Sequence, residues 1–261
     1  MNKLIIRSLT GLIYVSIILA SLFYSPILFS IVIFVFSCLA ILEFQKLLNI
    51  KNIFSYLFIF ILFYCYLNQK LNPETLSIIL YLTLASHILM LKWLFHKSFK
   101  NKLFLLILNF SYMVFSCFFI IVIPFLNGSY NPNLLLFVFI INWINNSFAY
   151  LFGKKYGKSK LLPEVSPKKS WEGFWGGFIF SLITAFVFYN FEQNIKLIPM
   201  IICSISIPIL ATLGDLIQSK IKRDAGVKDS GNILPGHGGF YDRMDSIIFV
   251  SPWIFFILKQ F

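Results

Sequence analysis

Long apolar stretches separated by short polar segments run through the whole sequence. A helix needs roughly 20 apolar residues to cross the hydrocarbon layer of a membrane, and nine stretches approach that length. They cover residues 9–24, 26–42, 53–67, 75–95, 103–126, 133–152, 171–189, 197–219 and 244–258. This pattern predicts an all-α, polytopic membrane bundle of about nine transmembrane helices. Only Ser25 and Pro26 separate the first two stretches, so a single broken or re-entrant element is the alternative there.

The composition supports a membrane protein. Hydrophobic residues make up 59% of the 261 positions and charged residues only 12%, whereas a soluble domain carries about 25% charged residues. These values exclude an ordinary soluble enzyme, a disordered chain and a nucleic-acid-binding domain, so we expect no nucleic-acid partner. The four cysteines lie inside apolar stretches without CxxC spacing, which predicts neither a disulfide nor a zinc site.

Positive charges are distributed unevenly between the two sides of the predicted bundle. With nine spans, 19 of the 22 Lys and Arg residues fall on one side. Because cytoplasmic loops carry an excess of Lys and Arg, that side is expected to be cytoplasmic, with the N-terminus inside and the C-terminus outside. We expect one transmembrane domain over residues 1–261, with 1–130 as scaffold or interface and 131–261 as the catalytic part.

Two polar segments on the predicted cytoplasmic side are longer than the others. Residues 153–170 and 220–243 are rich in Gly, Pro and charge, and two spans lie between them, so both return to the same face. Cationic side chains and exposed backbone N–H groups suit a polyphosphate ligand. Topogenic charge that meets anionic lipid headgroups is the alternative interpretation.

Half of the ten carboxylates lie in residues 215–245. Asp215 falls inside an apolar span, where a carboxylate usually has a partner or a function. Asp242 and Asp245 are three residues apart, which places both on one face of a helix. Three such carboxylates form an oxygen cluster suited to Mg²⁺. A structural salt-bridge set with neighbouring Lys and Arg residues explains the spacing equally well.

Residues 219–245 resemble the signature of the phosphatidate cytidylyltransferases, also called CDP-diacylglycerol synthases. The shared elements are Ser-x-apolar-Lys-Arg, then Lys-Asp, then Pro-x-His-Gly-Gly-x-x-Asp-Arg-x-Asp. Residues 166–177 resemble the family's Ser-Pro-Lys-Lys-Thr-x-Glu-Gly-x-x-Gly-Gly, with Ser170 in place of Thr. The resemblance is strong from about residue 146 onward and weak before it. Asn146 departs from the pattern, because the family usually has Asp there.

The resemblance implies that the chain makes CDP-diacylglycerol and pyrophosphate from phosphatidic acid and CTP, in a bacterial inner membrane with the site facing the cytoplasm. It implies Mg²⁺ held by Asp215, Asp242 and Asp245, and it leaves open a second metal, a monovalent cation and a homodimer. Besides these aspartates, the catalytic candidates are Lys222, Arg223 and His237. The substrate-binding candidates are Asn146, Ser166, Lys168, Lys169, Glu172, Ser219, Lys228, Asp229, Gly238, Gly239 and Arg243.

Two other functions remain as alternatives. A CTP-dependent lipid-alcohol kinase of the polyprenol type would use related chemistry but would attack the γ-phosphorus of CTP. A cation-coupled transporter would bind its ion at Asp215, and broken spans with charges at the midplane would favour it. The charges of this sequence gather at one face instead, which disfavours the transporter.

Overall fold

Helices form nearly the whole of the computed structural model, which describes residues 3–95, 102–126, 128–192, 196–236 and 238–261. The described part contains ten α-helices, one π-helical turn, one 3₁₀ turn and one β-hairpin. The elements are α1 (Lys3–Tyr24), α2 (Pro26–Leu47), α3 (Phe54–Leu67), α4 (Pro73–Leu94), α5 (Lys102–Leu108), the π turn (Asn109–Val114), α6 (Phe115–Val122), the 3₁₀ turn (Ile123–Phe125), α7 (Pro132–Tyr156), β1 (Lys160–Leu162), β2 (Ser166–Ser170), α8 (Trp171–Phe191), α9 (Leu197–Asp224) and α10 (Tyr241–Lys259).

The prediction of a helical membrane protein is confirmed. Within the described residues, six helical segments are long and apolar enough to cross a membrane by length and composition. They are Pro26–Leu47, Pro73–Leu94, Leu103–Phe125, Pro132–Tyr156, Trp171–Phe191 and Leu197–Asp224. The total of nine spans and the side of the N-terminus stay predictions.

Residues 3–47 form two helices rather than one broken element. The Ser25 side chain accepts a hydrogen bond from the Ile27 amide at 3.2 Å, and Pro26 occupies the first turn of α2. First-turn amides have no hydrogen-bond partner inside the helix. The Ser25 hydroxyl supplies such a partner, and Pro26 has no N–H that would need one, so both residues favour a helix start here. The two helices pack against each other.

The helix ends differ from the apolar stretches at the expected cytoplasmic face. Helix α9 continues past Ser219 to Asp224, and α10 begins at Tyr241 rather than Met244. Hydrophobicity marks the part of a helix that lies in lipid, whereas backbone hydrogen bonding continues into water. As a consequence, Asp242 and Asp245 both lie on the first turns of α10.

The segment Leu103–Phe125 forms the centre of the bundle. In its most apolar stretch of 18 residues, 83% of the residues are buried. It packs against α2, α3, α4 and α10. Helices α7 to α10 pack on one another beside it. Small residues of α8 allow a close approach to α7: a Cβ at Gly177 would lie 2.6 Å from the Asn145 carbonyl oxygen.

The hairpin of β1 and β2 was not predicted. Its strands have three and five residues, pair antiparallel, and place Lys160 opposite Ser170. Strands this short and this charged lack the alternation of apolar and polar residues that identifies a strand from sequence. Ser170 also begins α8, since its hydroxyl accepts a hydrogen bond from the Gly173 amide at 3.2 Å.

Candidate active site

A cavity of about 980 Å³ lies between α1, the helices α7 to α10 and the hairpin. Its volume is near the upper end of ordinary ligand pockets, roughly 300–1,000 Å³. Seven residues predicted as site residues line it. They are Asn146, Lys168, Lys169, Asp215, Asp242, Arg243 and Asp245. The structure therefore brings residues of the two polar segments 153–170 and 220–243 together with Asp215 and Asp245 around one space.

Asp215 and Asp245 are neighbours across the contact between α9 and α10. Gly214 makes this contact close, because a Cβ there would lie 2.6 Å from the Cβ of Phe249. The two carboxylates are near enough to interact electrostatically. Asp245 Oδ1 also accepts hydrogen bonds from the amide and hydroxyl of Ser246, at 2.6 and 3.0 Å. This pair is a concentrated negative charge on the cavity wall.

Lys169 of β2 balances part of that charge. Its Nζ lies 2.6 Å from Asp215 Oδ2, and both side chains are partly exposed to the cavity. Ser219, one helical turn after Asp215, donates its hydroxyl to Asp215 Oδ1 at 3.4 Å. The hairpin thus delivers a cation to the carboxylate pair.

Asp242 makes a different set of contacts. Its Oδ1 lies 2.7 Å from Lys222 Nζ, and its Oδ2 accepts hydrogen bonds from the amides of Ser230 at 2.8 Å and Gly239 at 3.1 Å. Burial raises the pKa of this carboxyl, but the hydrogen bond and charge of Lys222 and the two amides outweigh burial, so its pKa lies below its ordinary value. Asp242 therefore stays ionised and holds the loop that precedes α10.

The three predicted metal ligands have different partners in the structure, and Mg²⁺ binding by all three stays a prediction. Among the described residues, no group of three His, Cys, Asp or Glu side chains is placed to hold a metal ion. Both oxygens of Asp242 are engaged by Lys222 and the loop amides. Asp215 and Asp245 still fit Mg²⁺, because proteins commonly hold this ion with one or two carboxylates and leave its other positions to water and substrate phosphates.

Asn146 joins the site through Ser246. Its Nδ2 donates to Ser246 Oγ at 3.0 Å, and its Oδ1 accepts from Asn145 Nδ2 at 3.2 Å. Ser246 in turn donates to Asp245. The residue that departs from the family pattern thus supports one of the two paired carboxylates by a chain of hydrogen bonds.

Several predicted residues lie elsewhere. Glu172 accepts hydrogen bonds from the Ser159 amide at 3.0 and 3.3 Å and so fixes the start of the hairpin. Arg223 is exposed and donates to the Val227 carbonyl at 3.0 Å. Among the described residues, those predicted for the site but absent from the cavity lining are Ser166, Glu172, Ser219, Lys222, Arg223, Lys228, Asp229, Gly238 and Gly239. His237 lies outside the described residues.

The structure adds residues that the sequence did not single out. Tyr14 of α1 reaches the cavity from the N-terminal half, and nothing in the sequence around it indicates this. Lys154 and Lys160 line the cavity and belong to the segment already expected to meet a polyanion. The further polar residues of the lining are Asn142, Asn145, Ser147, Tyr150, Ser170, Thr212 and Ser246.

Comparison with known proteins shows the family of the chain. The profile of the Cytidylyltransferase family matches residues 5–261. The chain belongs to the Cytidylyltransferase family. The match includes the N-terminal helices, for which the motifs gave only a weak resemblance.

Curated relatives carry a more specific name. The phosphatidate cytidylyltransferase of Haemophilus influenzae is 46% identical over 48% of this chain and 46% of its own length. Those of Bacillus subtilis and Staphylococcus saprophyticus are 43% and 48% identical, over 51% and 48% of this chain and 49% of each relative. The matched part of the chain thus spans about half the length of these relatives.

Proposed function

We propose that this member of the Cytidylyltransferase family is a CTP:phosphatidate cytidylyltransferase that makes CDP-diacylglycerol. The observation that carries the proposal is the cavity, where a pair of carboxylates and several lysines line one space at the end of a membrane bundle. The names of the relatives support the same activity. Its substrates would be CTP and phosphatidic acid.

The proposed reaction needs no strong base. A phosphate oxygen of phosphatidic acid attacks the α-phosphorus of CTP, and a new P–O bond forms there. The bond between the α-phosphorus and the oxygen that bridges to the β-phosphorus breaks, and pyrophosphate leaves with the electron pair. Because the nucleophile is already an anion, catalysis depends on positioning and on compensating negative charge.

The residues of the cavity suit these two tasks. Lys168, Lys169 and Arg243 supply positive charge for the phosphates of both substrates. Asp215 and Asp245 would hold Mg²⁺, which neutralises phosphate charge when it is bound. Asn146 and Ser246 keep Asp245 in place by hydrogen bonds, as described above. Lys222 pairs with Asp242, and Asp242 in turn holds the loop before α10.

We also propose that the site faces the cytoplasm of a bacterial inner membrane. CTP would enter from the water side, while the acyl chains of the lipid stay in the bilayer beside α7 to α10. The excess of Lys and Arg at the cavity end of the bundle supports this orientation.

The orientation can be measured with single cysteines on either side of α8. Lys158 and Lys196 are both exposed and lie before and after this helix. In a cysteine-free background, Lys158→Cys should react with a membrane-impermeant maleimide only after the cells are opened, because it is predicted to be cytoplasmic. Lys196→Cys should react in intact cells. Labelling of both residues from the same side would contradict the predicted crossing by α8.

The activity is tested with CTP labelled at either end of its triphosphate. Purified protein, phosphatidic acid and Mg²⁺ should transfer the α-phosphate label into a lipid product and release the γ-phosphate label as pyrophosphate. A chelator should stop both. Transfer of the γ label into lipid would identify the kinase instead, and no transfer of either label would overturn the proposed enzyme.

A further inference from the structure

Glu43 is a buried carboxylate outside the cavity lining. It lies on α2, in the half of the chain predicted to be scaffold, and only 1% of its surface is exposed. A carboxylate is rarely buried in an apolar helix without partners that repay its lost hydration. Its partners therefore indicate what it does.

All of the hydrogen bonds that Glu43 accepts in the described structure come from the loop before α10 and from the first residue of α10. Ser230 donates its hydroxyl to Oε2 at 2.7 Å. The amide of Tyr241 donates to Oε2 at 2.9 Å, and the amide of Phe240 donates to Oε1 at 3.2 Å. Ser230 lies at one end of this loop, and Phe240 and Tyr241 lie at the other. One carboxylate on α2 thus joins the two ends of the loop.

Asp242 holds the same loop from the opposite side. The hydroxyl of Ser230 goes to Glu43, while the amide of Ser230 goes to Asp242. Gly239 lies between the two carboxylates, and a Cβ at this position would collide with the Glu43 carboxylate. Position 239 therefore accommodates only glycine, because a side chain there would occupy the space of the Glu43 carboxylate.

The contact with Phe240 and Tyr241 also serves the start of α10. The first amides of a helix have no partner within it, and α10 has no hydrogen bond from an N-cap side chain of its own. Glu43 supplies the acceptor from another helix, and its negative charge is favourable at a helix N-terminus. It thereby fixes the first turns of α10, which carry Asp242, Arg243 and Asp245.

We propose that Glu43 is a positioning residue for the reaction, through which the N-terminal half of the chain sets the geometry of the loop before α10 and of the first turns of α10. This inference rests on the proposed function. Glu43 contacts no substrate; it acts through Ser230 and the first turn of α10.

The test is Glu43→Gln, which keeps size but replaces one carboxylate oxygen by an NH₂ group that faces backbone donors. We expect kcat for CDP-lipid formation to fall by about 100-fold, the loss typical of small misplacements of reacting groups, while the KM for CTP changes far less. Hydrogen exchange measured by mass spectrometry should become faster across residues 229–241 and stay unchanged in α4.

Gln45 provides the matched control. It lies on the same helix, is 5% exposed, and bonds to the Asn52 carbonyl at 2.9 Å and to Ser55 at 3.2 Å, away from the loop. Gln45→Ala should leave loop exchange and kcat near those of the unaltered protein even where it lowers thermal stability. An equal loss of kcat in both variants would overturn the proposal, because it would show a general effect of disturbing α2.

Unchanged loop exchange in Glu43→Gln would also overturn it. If Glu43→Gln does not accumulate in membranes, Ser230→Ala decides instead, because it removes only one of the three hydrogen bonds. It should give faster loop exchange with a smaller loss of kcat, and no change in either would contradict the inference. Should the unaltered protein make no CDP-lipid, the proposed function fails, whereas the exchange measurement still tests the contact of Glu43 with the loop.

Discussion

Asp215→Asn and Asp245→Asn are each expected to lower the rate of CDP-lipid formation by about 100- to 1,000-fold, the cost of removing one stabilising charge contact from an active site. The two carboxylates, on α9 and α10, are near enough to interact electrostatically, and Lys169 forms its ion pair with Asp215. Two adjacent negative charges on the wall of a cavity favour a bound cation. Removing either charge should therefore also raise the Mg²⁺ concentration needed for half-maximal rate.

The measurement is the initial rate of CDP-lipid formation over a titration of Mg²⁺ with purified protein. Asp224→Asn is the matched control, because Asp224 is an exposed carboxylate at the end of the same helix as Asp215 and does not line the cavity. Its rate and Mg²⁺ requirement should match those of the unaltered protein. Near-normal rates for Asp215→Asn or Asp245→Asn at low Mg²⁺ would contradict the assignment of this pair.

Much of the architecture follows from the sequence, because membrane solvation imposes a simple pattern. Each predicted apolar stretch overlaps a helix in the structure. The two crossings between residues 153–170 and 220–243 also predicted that both segments return to the same face, and residues of both line the cavity. These features depend on hydrophobicity and on whether an even or odd number of membrane crossings separates two segments. Both can be determined from a single sequence.

The partners of individual side chains could not be predicted in this way. Spacing placed Asp242 and Asp245 on one face of α10, but it did not show that Ser230 and Gly239 fold back on Asp242. That contact depends on the conformation of a glycine-rich loop, which periodicity does not describe. Periodicity also does not describe the hairpin. Its short strands are defined by the pairing of Lys160 with Ser170 rather than by an alternation of apolar and polar residues.

Glu43 is a case in which a usable signal was present. It interrupts the apolar run Ala-Ile-Leu-Glu-Phe, and an ionisable residue inside such a run is costly unless it has a partner. The sequence alone could have identified it as a residue with a specific role. It could not have named Ser230 or Tyr241 as the partners, because they lie 187 and 198 residues further along the chain.

Asp242→Asn is expected to abolish most activity by a route different from that of Asp245→Asn. Lys222 and Asp242 have side chains that are only 12% and 6% exposed, so an amide at position 242 leaves a nearly buried ammonium without its counter-ion. Breaking such a pair from one side costs about 3 kcal/mol or more. The amide can also no longer accept from Lys222 and from both loop amides at once, so the loop before α10 should lose its fixed conformation.

This difference between Asp242 and the carboxylate pair is measurable. Asp242→Asn should lower kcat and the thermal unfolding temperature but leave the Mg²⁺ concentration for half-maximal rate unchanged. The double variant Lys222→Met with Asp242→Asn should recover thermal stability, because the uncompensated cation is gone, without recovering kcat. A raised Mg²⁺ requirement in Asp242→Asn, like that expected for Asp245→Asn, would instead make Asp242 a metal ligand. The three-carboxylate set predicted from the spacing would then be correct.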